Sequence, residues 1–152
     1  MDSHLKSWAA GFIDGEGCFL LEIKRYPKRN GYFVVRPKFV VQVRADNKAA
    51  IYMLQEAIGR PGYMFNRTSR KRSTYGSESK PTVECFWQTS KDLLAVVALL
   101  DEFPLLGKKL DDYRIWRQAV ILMTRGNLSV NERNLNLLVL KEQLQEVRRY
   151  SV

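Results

Sequence analysis

The sequence predicts an α+β fold: an antiparallel sheet with helices on one face, in the order α-β-β-α-β-β-α followed by two further helices. Three observations carry this. Four segments alternate apolar and polar residues at the period of a strand, and they fall in two pairs. Segments between and after them place apolar residues at helical spacing. Within the strands one parity is core-like and the other is polar or basic, which fits a sheet covered on one side and open on the other.

The first helix runs from Ser3, as cap, to about Asp14, with Leu5, Trp8, Ala9 and Phe12 at helical spacing. Gly17 is placed as its stop. A strand follows in which Phe19, Leu21 and Ile23 alternate with Leu20, Glu22, Lys24 and Tyr26. Pro27-Lys28-Arg29-Asn30-Gly31 is a basic turn. The second strand has Phe33, Val35, Pro37, Phe39, Val41 and Val43 on one face, and Tyr32, Val34, Arg36, Lys38, Val40, Gln42 and Arg44 on the other. Pro37 lacks an N–H and so predicts an edge or a bulge.

Asp46 is expected to cap a helix to about Ile58 with the stripe Ala50, Ile51, Leu54 and Ile58, stopped by Gly59. After the Pro61-Gly62 turn come a short strand, Tyr63–Thr68, and a Ser, Arg, Lys and Gly-rich loop, Ser69–Pro81. The strand Thr82–Thr89 points Val83, Cys85 and Trp87 inward and Thr82, Glu84, Phe86 and Gln88 outward. Ser90 is expected to cap a helix over Lys91–Phe103. The link Pro104–Lys109 leads into a helix over Lys109–Thr124, ended by Arg125-Gly126-Asn127. Ser129 and Glu132 form a capping box for the last helix, read as a packing helix through Leu135, Leu138, Val139 and Leu144.

The 152 residues form one domain, 1–152, long enough to bury a core. The net charge is +9, and its distribution says more than its size. Between Gly17 and Ser90 there are 14 Lys or Arg against 5 Asp or Glu; elsewhere there are 11 of each. The whole excess lies on the sheet-forming half, which points to a nucleic-acid partner. An anionic membrane is a weaker partner, because those residues lie on no amphipathic helix. Cys18 and Cys85 fall among apolar strand residues and read as reduced core thiols. The chain shows no run of membrane-spanning length and no basic region followed by an apolar stretch at its start. It is therefore expected to be neither membrane-bound nor secreted. The one histidine, His4, is a surface residue by position; no Cys/His zinc spacing and no phosphate-cradling glycine loop occurs.

Trp8-Ala9-Ala10-Gly11-Phe12-Ile13-Asp14-Gly15-Glu16-Gly17 is the organising stretch. Two carboxylates at a helix C-terminus face the negative end of the macrodipole and need a cation. A divalent metal would supply it. Ala9–Gly17 resembles the LAGLIDADG motif of homing endonucleases, with Ala9 and Phe12 for its leucines, Gly15 for its alanine and Glu16 for its final aspartate. The resemblance implies a saddle-like sheet and a site-specific, Mg²⁺-dependent DNA endonuclease that cuts both strands across the minor groove and leaves 3′ overhangs. It implies two or more Mg²⁺ at the axis of a homodimer, since one motif per chain means two chains, with other divalent ions able to substitute. Trp8, Ala10, Gly11, Phe12 and Gly15 are the expected dimer contacts. Glu16 is the expected metal ligand, assisted by the Gly15 carbonyl, while Asp14 is not. Pro104-Leu105-Leu106-Gly107-Lys108 matches the context of the family's active-site lysine, giving Lys108 that role with Lys109 as its competitor. Where the family orients water with a glutamine, this chain offers Gln42 and Arg44.

On the open face Glu22, Lys24, Tyr26, Arg36, Lys38, Gln42, Arg44, Glu84 and Gln88 share one parity, and Lys28, Arg29, Asn30, Arg67, Arg70 and Arg72 flank them. Arg and Lys suit guanine, Gln suits adenine and acids suit cytosine, so all three readout chemistries are present. A strand of about ten residues spans roughly 33 Å, the rise of about ten base pairs, so two units follow a site of about twenty. The alternative is a non-cleaving binder on the same fold, an intron-splicing maturase or a repressor, with intron RNA as partner; a basic RNA-binding protein without site preference is a third. Family members are encoded in introns of organelles or microbes, so a chloroplast, a mitochondrion or a microbial cytoplasm is the expected location.

Overall fold

A computed structural model of the chain describes residues 2–67 and 80–149. The elements are α1 (Ser3–Glu16), β1 (Gly17–Tyr26), β2 (Tyr32–Arg44), α2 (Lys48–Ile58), β3 (Tyr63–Arg67), β4 (Thr82–Trp87), α3 (Ser90–Glu102), α4 (Lys109–Thr124) and α5 (Val130–Arg149), with short 3-10 turns before β2 and α2. All three strand pairings are antiparallel and the spatial order is β1-β2-β4-β3. This is the predicted α+β architecture. The predicted inward parity is also observed, with Phe19, Leu21, Val35, Phe39, Val41, Val43, Val83, Cys85 and Trp87 buried beneath the helices.

The core closes on aromatic residues. Phe19 stacks on Phe39 at 5.3 Å and meets Trp116 of α4 at 5.0 Å, while Phe39 meets Trp87 at 5.3 Å. The two indoles are satisfied: Trp116 Nε1 donates to the Lys38 carbonyl and Trp87 Nε1 to that of Arg60. Each ring of this size buries a large apolar area.

Pro37 lies where the register leaves room for it. β1 pairs with Tyr32–Val41 of β2 and β4 only with Phe39–Arg44, so the Pro37 stretch has one neighbouring strand. Polar side chains of α5 serve sheet carbonyls on edge strand β1 and on that open stretch. Asn134 donates to Phe33, Lys141 to Leu21 and Arg148 to Phe19. The α5 packing face is therefore Asn134, Leu137, Leu140 and Leu144. Leu135 and Val139, expected to pack, are more than half exposed instead.

Three caps shift by one residue. Asp2, not Ser3, caps α1 by accepting from the His4 N–H. Thr89, not Ser90, caps α3 through the Asp92 N–H. Asn47 takes the cap position of α2 because the Asp46 carboxylate is held by Arg44 at 2.7 Å. The Ser129–Glu132 capping box forms as expected. Gly17 is extended, at φ −72°, and not the left-handed helix stop expected of it. A Cβ there would stand 2.8 Å from Ile13 Cγ2 and 3.0 Å from the Phe39 ring, so closeness and not backbone handedness requires glycine. Among the described residues no helix is long and apolar enough to cross a membrane. Cys18 and Cys85 are free thiols, and burial pushes Cys85 up to about 11.

Candidate active site and nucleic-acid interface

The motif helix ends in two carboxylates with different surroundings. Asp14 Oδ2 accepts the backbone N–H of Leu106 at 3.1 Å and of Gly107 at 2.8 Å. It is consumed in holding the link between α3 and α4. Two N–H donors thus compensate this acid at the helix end. Lys109 Nζ donates to the Ile13 carbonyl at 3.3 Å, placing a cation against the last turn of α1. Glu16 ends the helix, is exposed, and has no hydrogen-bond or ion-pair partner among the described residues.

The docked link carries Lys108 to the same end of the fold, because it directly follows Gly107; its residue is exposed while Lys109 is half-buried. Gln42 arrives there through sheet register. Gly17 pairs with Val41, so Gln42 is the next residue alongside Glu16. Its amide donates to Thr82 Oγ1 at 2.9 Å. Arg44 lies two residues beyond, tethered to Asp46. The end of α1 thus has the link that precedes Lys108 docked on Asp14 and the Gln42 end of β2 in register beside it. Among the described residues no cluster of three acidic, His or Cys side chains could hold a metal ion. A divalent cation takes hard oxygen donors, and the exposed Glu16 carboxylate and the neighbouring Gly15 carbonyl are of that kind.

On the outer face of α1, Gly11 and Gly15 are exposed and a Cβ on either would meet nothing within 4 Å. Trp8 and Phe12 stack on each other at 5.0 Å and are half-buried. Ala10 is only 6% exposed and lines a shallow groove with Ser7, Gly11 and Asp14.

The open sheet face presents Glu22, Lys24, Arg36, Gln42 and Arg44 exposed, with Tyr26, Lys38 and Gln88 half-buried. Lys28, Arg29 and Asn30 cluster at the far hairpin end, with Arg29 and Lys24 over the Tyr26 ring. Several charges are held in pairs. Lys38 meets Glu22 at 3.5 Å and Arg67 meets Glu84 at 3.3 Å. Glu84, expected as a surface reader, is 8% exposed beneath its arginine. Arg70 and Arg72 lie outside the described residues. Sequence reasoning missed Tyr63 and Phe65, which join Phe86 on this face. The available signal was faint, two aromatic residues of one parity in a strand of five.

Comparison with known proteins fits this geometry. The chain belongs to the LAGLIDADG endonuclease family, whose family model matches residues 9–120. It is 26% identical over 144 residues to the "Probable intron-encoded endonuclease Cox1-I1b" of Schizosaccharomyces pombe, covering 95% of this chain and 34% of that protein. It is 27% identical over 126 residues to "Probable intron-encoded endonuclease 3" of Neurospora crassa, covering 82% of this chain and 22% of that one. The chain thus spans about a third or less of these curated relatives. Among solved structures, the homing endonuclease I-TnaI superposes with a TM-score of 0.70 at 25% identity, covering 95% of this chain and 96% of its own. I-SmaMI bound to uncleaved DNA target in the presence of calcium ions superposes with a TM-score of 0.71 at 25% identity, covering 92% of this chain and 45% of its own.

Proposed function

We propose that this chain is a site-specific DNA endonuclease unit that works as a homodimer and hydrolyses both strands of a long, partly palindromic site with Mg²⁺. The observation that carries this reading is the division of labour at the end of α1. Asp14 is occupied by Leu106 and Gly107, whereas Glu16 is exposed and unpaired. One carboxylate cannot assemble a multi-metal centre, and two copies joined across the open Gly11–Gly15 face bring a pair.

In that assembly the Glu16 carboxylates and Gly15 carbonyls would hold the metal. Divalent ions supply Lewis-acid activation of water and charge neutralisation at the scissile phosphate. Lys108 places an ammonium where negative charge develops on the phosphoryl oxygens. Asp14 holds the Lys108 segment in place, and Gln42, already a donor to Thr82, orients solvent beside Glu16. Arg44 acts as a phosphate clamp. The basic sheet face lies along the major groove, with phosphate contacts setting position and base-edge contacts setting sequence. Calcium and target DNA in the I-SmaMI structure support a divalent metal and a duplex partner. The intron-encoded relatives, with the relative named "Uncharacterized mitochondrial protein RF1" of Saccharomyces cerevisiae, support an organelle as the site of action.

The test is to incubate the purified protein with a randomised duplex library, with and without Mg²⁺, and to sequence the cleaved ends. Mg²⁺-dependent double-strand breaks at one pseudo-symmetric sequence support the reading. Retarded but uncut DNA would replace it with a non-cleaving binder.

A further inference from the structure

Three aromatic rings converge on the outer face of the sheet. Tyr63 of β3 lies 5.3 Å from Phe86 of β4 and 6.1 Å from Phe65, and Phe65 lies 6.2 Å from Phe86. Tyr63 is 61% exposed, and the other two are half-buried. Two cations frame the cluster: Lys38 Nζ stands 4.2 Å from the centroid of Phe86, and the Arg67 guanidinium 5.7 Å from that of Phe65. Each cation is itself held by an acid, Glu22 and Glu84. An apolar patch set inside a basic surface marks a contact with something that is anionic overall and apolar at one point.

We propose that Tyr63, Phe65 and Phe86 read thymine, through its C5-methyl group, in the major groove of the target duplex. This rests on the DNA-endonuclease reading and adds a base preference to it. Thymine is the base whose major-groove edge carries an apolar group, and aromatic side chains are among its natural contacts. The rings are inclined to one another by 39° to 69° and form no flat shelf. Lys38 and Arg67 already cover a face of Phe86 and of Phe65, so a methyl group fits between the ring edges where a whole base could not lie flat. The same two cations complement the phosphates on either side. The alternative occupant, an unpaired base stacked as on single-strand platforms, needs those covered ring faces free.

The test uses duplex sites recovered from a randomised library with the wild-type protein. Each thymine of the recovered site is replaced by deoxyuridine, which removes the methyl group and nothing else. At the positions facing the triad, affinity is expected to fall about fourfold, the worth of one buried methyl group. In Tyr63→Ser and Phe86→Leu the same replacement is expected to have no effect. Tyr63→Ser, at the most exposed ring, keeps the test standing if Phe86→Leu fails to fold. Equal binding of thymine and uracil at every position would overturn the proposal, as would an undiminished uracil penalty in both folded variants. Tighter, ring-dependent binding of the single strand than of the duplex would overturn it in favour of stacking. Failure to recover any duplex site would remove the endonuclease reading itself, and the proposal with it.

Discussion

The Asp14 carboxylate lies 2.8 Å from the backbone nitrogen of Gly107, joining the motif helix to a link 93 residues away in sequence. With the bonds from the Leu106 N–H to Asp14 and from Lys109 Nζ to the Ile13 carbonyl, this contact ties the segment bearing Lys108 to the end of α1. A Cβ at 107 would stand 2.8 Å from Asp14 Oδ1 and 3.2 Å from its Cγ, so it would displace the carboxylate that holds the link. We expect Gly107→Ala to lower stability by about 1–3 kcal/mol, the usual cost of overpacking, and to slow cleavage by moving Lys108. Urea melts and single-turnover cleavage check both. A melt unchanged from wild type would show that the link is not held as described.

Arg67 and Glu84 form an ion pair whose members differ in exposure, with side chains 54% and 11% exposed respectively. Removing the arginine strands a buried carboxylate, whereas removing the acid frees a cation already in water. We expect Arg67→Met to cost about 1–3 kcal/mol, the desolvation penalty of an unpaired charged group, and Glu84→Gln to cost less than half as much. Denaturant midpoints of the two variants decide it; equal losses would contradict the burial asymmetry.

Acid should weaken the fold through two aspartates. Arg117 holds the Asp101 carboxyl below the usual carboxylate range, against burial and with help from Tyr113. Burial alone would raise Asp92, but the Arg60 and Thr89 bonds outweigh it and hold it low as well. Because both are depressed in the folded state, their contribution is fully present above the unfolded carboxylate pKa of about 4. It is lost as pH falls through the lowered folded values. Unfolding midpoints are therefore expected to drop below pH 4 in the wild type and to drop less in Asp101→Asn. The same slope in both proteins would assign the acid sensitivity elsewhere.

The alternation of β1 and β2 was readable because each strand buries one parity only. The acidic helix end was readable because it is a contiguous motif. What local sequence could not supply were demands made by distant backbone. Asn134 is buried because the Phe33 carbonyl needs a donor, a requirement set 101 residues away. That demand turned α5 so that Leu135 and Val139 face outward. Asp46 lost its capping role to Arg44, two residues upstream. Gly17 was placed correctly but for the wrong reason, since the Ile13 and Phe39 atoms crowding it belong to packing. In the site, the motif resemblance singled out Glu16 over Asp14, but that Asp14 accepts from Leu106 and Gly107 was set by a link about ninety residues away. Tyr63 and Phe65 went unread because a five-residue strand shows too little alternation to declare its faces.

The central claim is that Glu16 carboxylates from two copies together hold the catalytic metal. The direct measurement compares Glu16→Gln, which removes the charge and keeps the shape, with wild type on the duplex recovered from the library, scoring binding and Mg²⁺-dependent cutting of each strand. Retained, sequence-specific retardation with cleavage of both strands abolished is the result expected. A Glu16→Gln protein that still cuts its site would contradict it.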